Sequence, residues 1–85
     1  MLSFEYKLKD PMGLHARPVA QLLKEIKKYN SKVSIAFGDK TVDVLHMIAV
    51  MQLGAKQDDI VKFIIEGADE QEVQDTLKRF LVDNL

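Results

Sequence analysis

The seven residues Ile60 to Glu66, IVKFIIE, restrict the fold more than any other stretch, because apolar side chains occupy both of their alternating faces. Their β-branched and aromatic character favours an extended strand. Val61, Phe63 and Ile65 fill one face as a core requires, whereas Ile60 and Ile64 fall on the other, and a strand apolar on both sides needs neighbours to shelter it. The segment is therefore expected at the centre of a sheet. Its partners must come from the rest of an 85-residue chain. A chain of that length buries one modest core and is expected to form one domain over residues 1–85.

The partners are legible from their periodicity. Leu2, Phe4, Tyr6 and Leu8 alternate with Ser3, Glu5, Lys7 and Lys9, which predicts a first strand with one buried face. Asp10 to Met12 form the loop after it. Val33, Ile35 and Phe37 alternate with Ser34 and Ala36, and Gly38-Asp39 separates this strand from Thr41, Val42 and Val44. A two-residue link headed by glycine suits a hairpin of type I′ or II′.

Helical spacing fills the intervals. Val19, Leu22, Leu23 and Ile26 follow i, i+3, i+4, i+7, which predicts an amphipathic helix over about residues 16 to 28, with Pro18 in its first turn. Met47 to Leu53 make a short helix stopped by Gly54. Asp69-Glu70-Gln71-Glu72 has the capping-box pattern, with Asp69 as cap and Glu72 at the third helical position, and opens a last helix whose inner face is Val73, Leu77, Phe80 and Leu81.

The order β-α-β-β-α-β-α with one polar sheet face predicts an α+β fold in two layers, an open-faced β-sandwich with three helices on one face. Right-handed crossovers let the fourth strand insert between the first and second, giving an antiparallel sheet ordered 1-4-2-3. A ferredoxin-like order competes on pattern alone.

Composition removes several functions. The chain has no cysteine, which excludes disulfides, thiolate catalysis and cysteine-based zinc sites. Its two histidines lie thirty-one positions apart with no carboxylate at ligand spacing, so no metal site is expected. With 47% hydrophobic and 29% charged residues it resembles an ordinary globular protein, and no apolar run is long enough to span a bilayer. The start MLSFEYKLKD lacks the basic segment and apolar block of a signal peptide, so a cytoplasmic location is expected. A monomer is expected as well. A formal net charge of -1 and few aromatics for base stacking argue against nucleic acid.

Gly13-Leu14-His15-Ala16-Arg17-Pro18 carries most of the functional information, because it places a histidine where the first helix begins. The unpaired amides of a helix's first turn and its positive dipole end attract anions, by about 0.3 to 1 kcal/mol. Arg17 adds a fork of donors that matches phosphate oxygens. Much of a histidine is neutral at physiological pH and keeps a lone pair on one ring nitrogen, which makes it a nucleophile. Attack on a phosphoryl donor would give a phosphohistidine held by Arg17 and the amides of Ala16 and Arg17 in a turn fixed by Pro18. No general base in the motif would hydrolyse it. The chemistry expected is carriage of a phosphoryl group.

The string GLHARP at residue 13 of so short a chain resembles the active-site signature of the HPr family, the histidine-containing phosphocarriers of the phosphoenolpyruvate-dependent sugar phosphotransferase system. The segment Thr41 to Gly54, with its Leu53-Gly54 step, and Gly67-Ala68-Asp69-Glu70 are similar to two further landmarks of that family. The resemblance implies the 1-4-2-3 sheet, phosphorylation of His15 on Nδ1 by phosphorylated enzyme I, and transfer to enzyme IIA proteins without a cofactor. It also implies a docking patch made of Arg17, Ala20, Lys24, Met47, Ile48, Met51 and Gln52.

Two positions depart from the family pattern. His46 stands where Gram-positive members carry a serine phosphorylated by an ATP-dependent kinase, so that regulatory arm is not expected here. Met12 replaces a residue that is small and polar in many members. The competing functional class is an HPr-like interaction or regulatory module that binds a partner without accepting phosphate.

Overall fold

The computed structural model describes residues 1–85 and contains β1 (Leu2–Lys7), α1 (Ala16–Ile26), β2 (Lys32–Phe37), β3 (Lys40–Asp43), α2 (Met47–Gln52), β4 (Ile60–Glu66) and α3 (Glu70–Asn84). The four strands form one antiparallel sheet ordered β1-β4-β2-β3. β4 lies inside it, as its two apolar faces demand. Phe63 is paired with Phe4 of β1 on one side and Ile35 of β2 on the other and is fully buried. The Phe4 and Phe63 rings stack with centroids 5.5 Å apart. Truncating a buried aromatic so placed costs about 3–5 kcal/mol.

The face carrying Phe63, Val61 and Ile65 is covered by the three helices, which contribute Val19, Leu22 and Ile26 from α1, Val50 from α2, and Val73, Leu77 and Leu81 from α3. α1 lies against both α2 and α3. The opposite face stays open, and its cross-strand neighbours Glu5 and Lys62, Lys32 and Glu66, keep it polar. Ile60 is exposed there, while Ile64 is half-buried between Ser3 and Ser34. The hairpin between β2 and β3 is of type II′: Gly38 has φ +63°, and Asp39 keeps a negative φ.

Two expectations are corrected. α1 ends at Ile26 rather than residue 28, because the amides of Lys28 and Tyr29 turn back to the carbonyls of Glu25 and Ile26, three residues earlier, and the chain tightens out of the helix. The Asp69–Glu72 capping box does not form. Asp69 sits at the N-cap of α3 without a side-chain bond to its own helix, and its carboxylate instead accepts the Asn30 amide at 2.9 Å and the Ser31 hydroxyl. A partner across space has displaced the local one. The carboxylate thus ties the turn after α1 to the start of α3, and the Asn30 amide and Ser31 hydroxyl hold its carboxyl below the usual carboxylate range.

Candidate functional site

The loop from Lys9 to Leu14 delivers His15, and every backbone amide N–H in it donates a hydrogen bond. The amides of Lys9 and Asp10 donate to the Leu85 carbonyl at 2.7 and 2.9 Å, Gln57 Nε2 donates to the Lys9 carbonyl, and the Leu14 amide donates to Ala55 at 3.2 Å. Residues 10 to 13 form a β-turn closed by the Gly13 amide on the Asp10 carbonyl at 2.9 Å. Pro11 occupies the second position, where its fixed φ fits. Gly13 has φ +63°, and a Cβ added there would lie 2.4 Å from the Ala55 carbonyl oxygen. Only glycine lets the site loop lie so close to the segment that follows α2.

His15 takes an extended conformation at the N-cap of α1, with φ −128° and ψ 167°, and its carbonyl accepts the Val19 amide at 3.2 Å. Its side chain does not cap the helix. The ring turns the other way: Nε2 is buried, with Asp10 Oδ2 3.3 Å away at an angle short of a well-aligned hydrogen bond. Nδ1 has no hydrogen bond within the chain and is not buried. The other Asp10 oxygen, Oδ1, accepts the Met12 amide at 2.8 Å. That amide chiefly, and His15 to a smaller degree, hold the Asp10 carboxyl below the usual carboxylate range.

The first turn of α1 leaves two donors unused. No backbone bond engages the amides of Ala16 and Arg17, Pro18 has no N–H, and Val19 is already paired to His15. Arg17 is exposed and forms no ion pair within the chain. One open imidazole nitrogen therefore lies at the start of a helix with two unpaired amides and a free guanidinium, an arrangement suited to a covalently held dianion. Pro18 is buried and holds the turn; it offers no donor to an oxygen.

Comparisons with known proteins identify the family. The family described as PTS HPr component phosphorylation site matches residues 2–83. The chain belongs to the HPr family. The phosphocarrier protein HPr of Buchnera aphidicola from Acyrthosiphon pisum is 32% identical over 83 residues, 98% of each chain. The crystal structure of HPr-C-His from Thermoanaerobacter tengcongensis superposes with a TM-score of 0.89 at 31% identity, over 95% of this chain and 91% of that one. A mycoplasma histidine-containing phosphocarrier gives a TM-score of 0.91 at 27% identity, over 96% and 93%. This HPr chain is a phosphocarrier of the phosphotransferase system, not a turnover enzyme.

The remaining positions picked out from the sequence divide by exposure. Arg17, Ala20, Lys24 and Gln52 are exposed, Met47 and Met51 are half-buried against the core, and Ile48 is 73% exposed. α2 runs beside α1, and the residues just past it, Leu53 to Ala55, lead into the contact with Gly13 and Leu14. His46 caps α2, exposed, with no side-chain bond. No three metal-ligating side chains cluster, and no helix is long and apolar enough to cross a membrane. Two site residues escaped the sequence reading. Met12, noted only as a departure, is 70% exposed within the loop that precedes His15. Asp10 was seen only as loop, although Asp at the first, Pro at the second and Gly at the fourth position is a β-turn signature that would have placed its carboxylate.

Proposed function

We propose that His15 accepts a phosphoryl group on Nδ1 from phosphorylated enzyme I and passes it to a histidine of enzyme IIA proteins during sugar uptake, in the cytoplasm and without a cofactor. The observation that carries this reading is the open, unpaired Nδ1 at a helix start whose Ala16 and Arg17 amides have no partner. Those amides and the Arg17 guanidinium hold the phosphoryl oxygens as the nitrogen–phosphorus bond forms. The group stays on the ring until an acceptor arrives, because no general base stands beside Nδ1 to activate water.

Exposed Ile48, with the adaptable side chains of Met47 and Met51 behind it, provides the apolar centre of a docking patch, and Arg17, Ala20, Lys24 and Gln52 form its rim. Such a patch suits partners that bind briefly and leave. His46 offers no hydroxyl to a serine kinase, so the carrier stays available whatever the state of such a kinase.

Incubation with phosphoenolpyruvate and enzyme I, followed by mass spectrometry, tests the reading. One acid-labile phosphoryl group is expected, and it leaves the chain when an enzyme IIA is added. A folded protein that takes up no phosphate from several enzyme I proteins would instead be an interaction module.

A further inference from the structure

We propose that Asp10 is a positioning residue for this transfer: its Oδ2 keeps the proton of the neutral His15 ring on Nε2 and so presents the Nδ1 lone pair to the phosphoryl donor. The proposal rests on the carrier reading and adds to it the residue that selects the reacting nitrogen.

The geometry behind it is specific to the second carboxylate oxygen. Oδ1 is committed to the Met12 amide at 2.8 Å, the Asp10 carbonyl to the Gly13 amide at 2.9 Å, and the Asp10 amide to the Leu85 carbonyl at 2.9 Å. With three of its groups fixed, Asp10 has one oxygen left. That oxygen lies 3.3 Å from a ring nitrogen buried away from water. A neutral imidazole donates from one nitrogen and accepts at the other, and an ionised carboxylate only accepts. The nitrogen facing Asp10 must then carry the hydrogen, and the open one carries the lone pair. The contact is not yet aligned as a hydrogen bond, as is common before a reacting partner is present.

The same pairing assists the step itself. The Nδ1 lone pair forms a bond to phosphorus while the bond from phosphorus to the donor's nitrogen breaks, and that electron pair stays with the donor. The proton on Nε2 does not move. The ring therefore becomes positive as it is phosphorylated, and the carboxylate beside Nε2 compensates that charge at the far end of the ring from the phosphoryl group. Transfer to the acceptor reverses the sequence with no proton exchanged. A carboxylate that orients a histidine and stabilises its charged form without taking the proton is the logic of the serine-protease triad, here in service of a different nucleophile.

Asp10→Asn discriminates because the turn survives it. The side-chain oxygen keeps the Met12 amide, so the new NH2 group occupies the place of Oδ2 and donates to Nε2, which forces the ring proton onto Nδ1. Nitrogen-15 NMR of the unphosphorylated protein should find the proton on Nε2 of His15 in the wild type and on Nδ1 in the variant, with the His46 signals unchanged. Phosphorylation by phosphorylated enzyme I should slow by about ten- to a hundred-fold, the factor attached to one hydrogen bond to a charged group. A wild-type ring protonated on Nδ1, or identical His15 ring signals in both proteins, would overturn the role of Asp10 whether or not the variant is stable. The carrier reading fails separately, through wild-type protein that takes no phosphate.

Discussion

The chain contains two histidines, and both stand at a helix N-cap with no side-chain bond to it, yet their surroundings differ. The approaches to the two share a device. Asp10 Oδ1 accepts the Met12 amide and Asp43 Oδ1 accepts the Leu45 amide, each two residues on at 2.8 Å, so both histidines follow an aspartate-closed turn. They differ in what surrounds the ring. His15 is braced by a loop locked to Ala55 and Leu85 and has Asp10 behind Nε2, and its helix runs eleven residues. His46 is exposed, has no acidic contact, and caps a helix of six residues. A helix start alone does not set the two histidines apart. At His15 the loop hides one ring nitrogen and leaves the other open beside unused amides, and that difference supports the carrier role proposed for it.

The sharpest way to break this contrast is to remove each ring in turn. His15→Ala should abolish phosphoryl acceptance and change stability by no more than about 1 kcal/mol, since no side-chain cap is lost. His46→Ala should accept phosphate at the wild-type rate. The measurement is mass spectrometry after enzyme I treatment, with thermal unfolding as the control. Equal losses in both variants would erase the distinction.

The brace comes next. Gly13→Ala forces a Cβ against the Ala55 carbonyl at a positive φ, and a destabilisation of about 2 kcal/mol is expected in denaturant unfolding, together with slower transfer. Wild-type stability would mean that the loop yields and the bracing is not rigid. Arg17→Ala should leave unfolding unchanged and slow phosphorylation by about ten- to a hundred-fold, because an exposed residue without a partner can contribute only through the phosphoryl oxygens.

The α2 side sharpens the comparison further. Ile48→Glu should weaken enzyme I binding about tenfold at unchanged stability, because the side chain is exposed and its loss costs only docking. Titration calorimetry against enzyme I would check it. Half-buried Met51 would mix a packing cost into the same experiment.

The smallest effect lies far from both histidines. The folded-state carboxyl of Asp69 is held below its unfolded value, so its stabilising contribution is complete above the unfolded value of about 4 and is lost as pH falls through the lower folded one. Asp69→Asn should therefore flatten the acid limb of the stability profile and lower stability at neutral pH. An acid limb of unchanged slope would show that the tie to Asn30 and Ser31 carries no weight.

The fold was legible because its strongest signals are periodic. IVKFIIE demanded a central strand, while its place between β1 and β2 was indicated by right-handed crossovers and the family resemblance, since pattern alone also allowed a ferredoxin-like order. The histidine at a helix start and the unpaired amides beside it were legible too, because both lie within six consecutive residues. What escaped depends on contacts across the chain. Asp69 has the pattern of a cap, and nothing local announces that Asn30 and Ser31 will claim its carboxylate. The end of α1 at Ile26 is set by a tightened turn that leaves the apolar spacing intact. The contact between Asp10 and the His15 ring arises only when a turn and a helix start bring residues 10 and 15 together.

The most direct measurement assigns the phosphorus to an atom. Protein labelled with nitrogen-15 in its histidine rings is phosphorylated by enzyme I and phosphoenolpyruvate, and nitrogen–phosphorus coupling then identifies both the residue and the nitrogen. The expected result is coupling to Nδ1 of His15 alone, with His46 unmodified. Phosphorus on His46, or on Nε2 of His15, would contradict the assignment of the open nitrogen at the start of α1 as the carrier of the phosphoryl group.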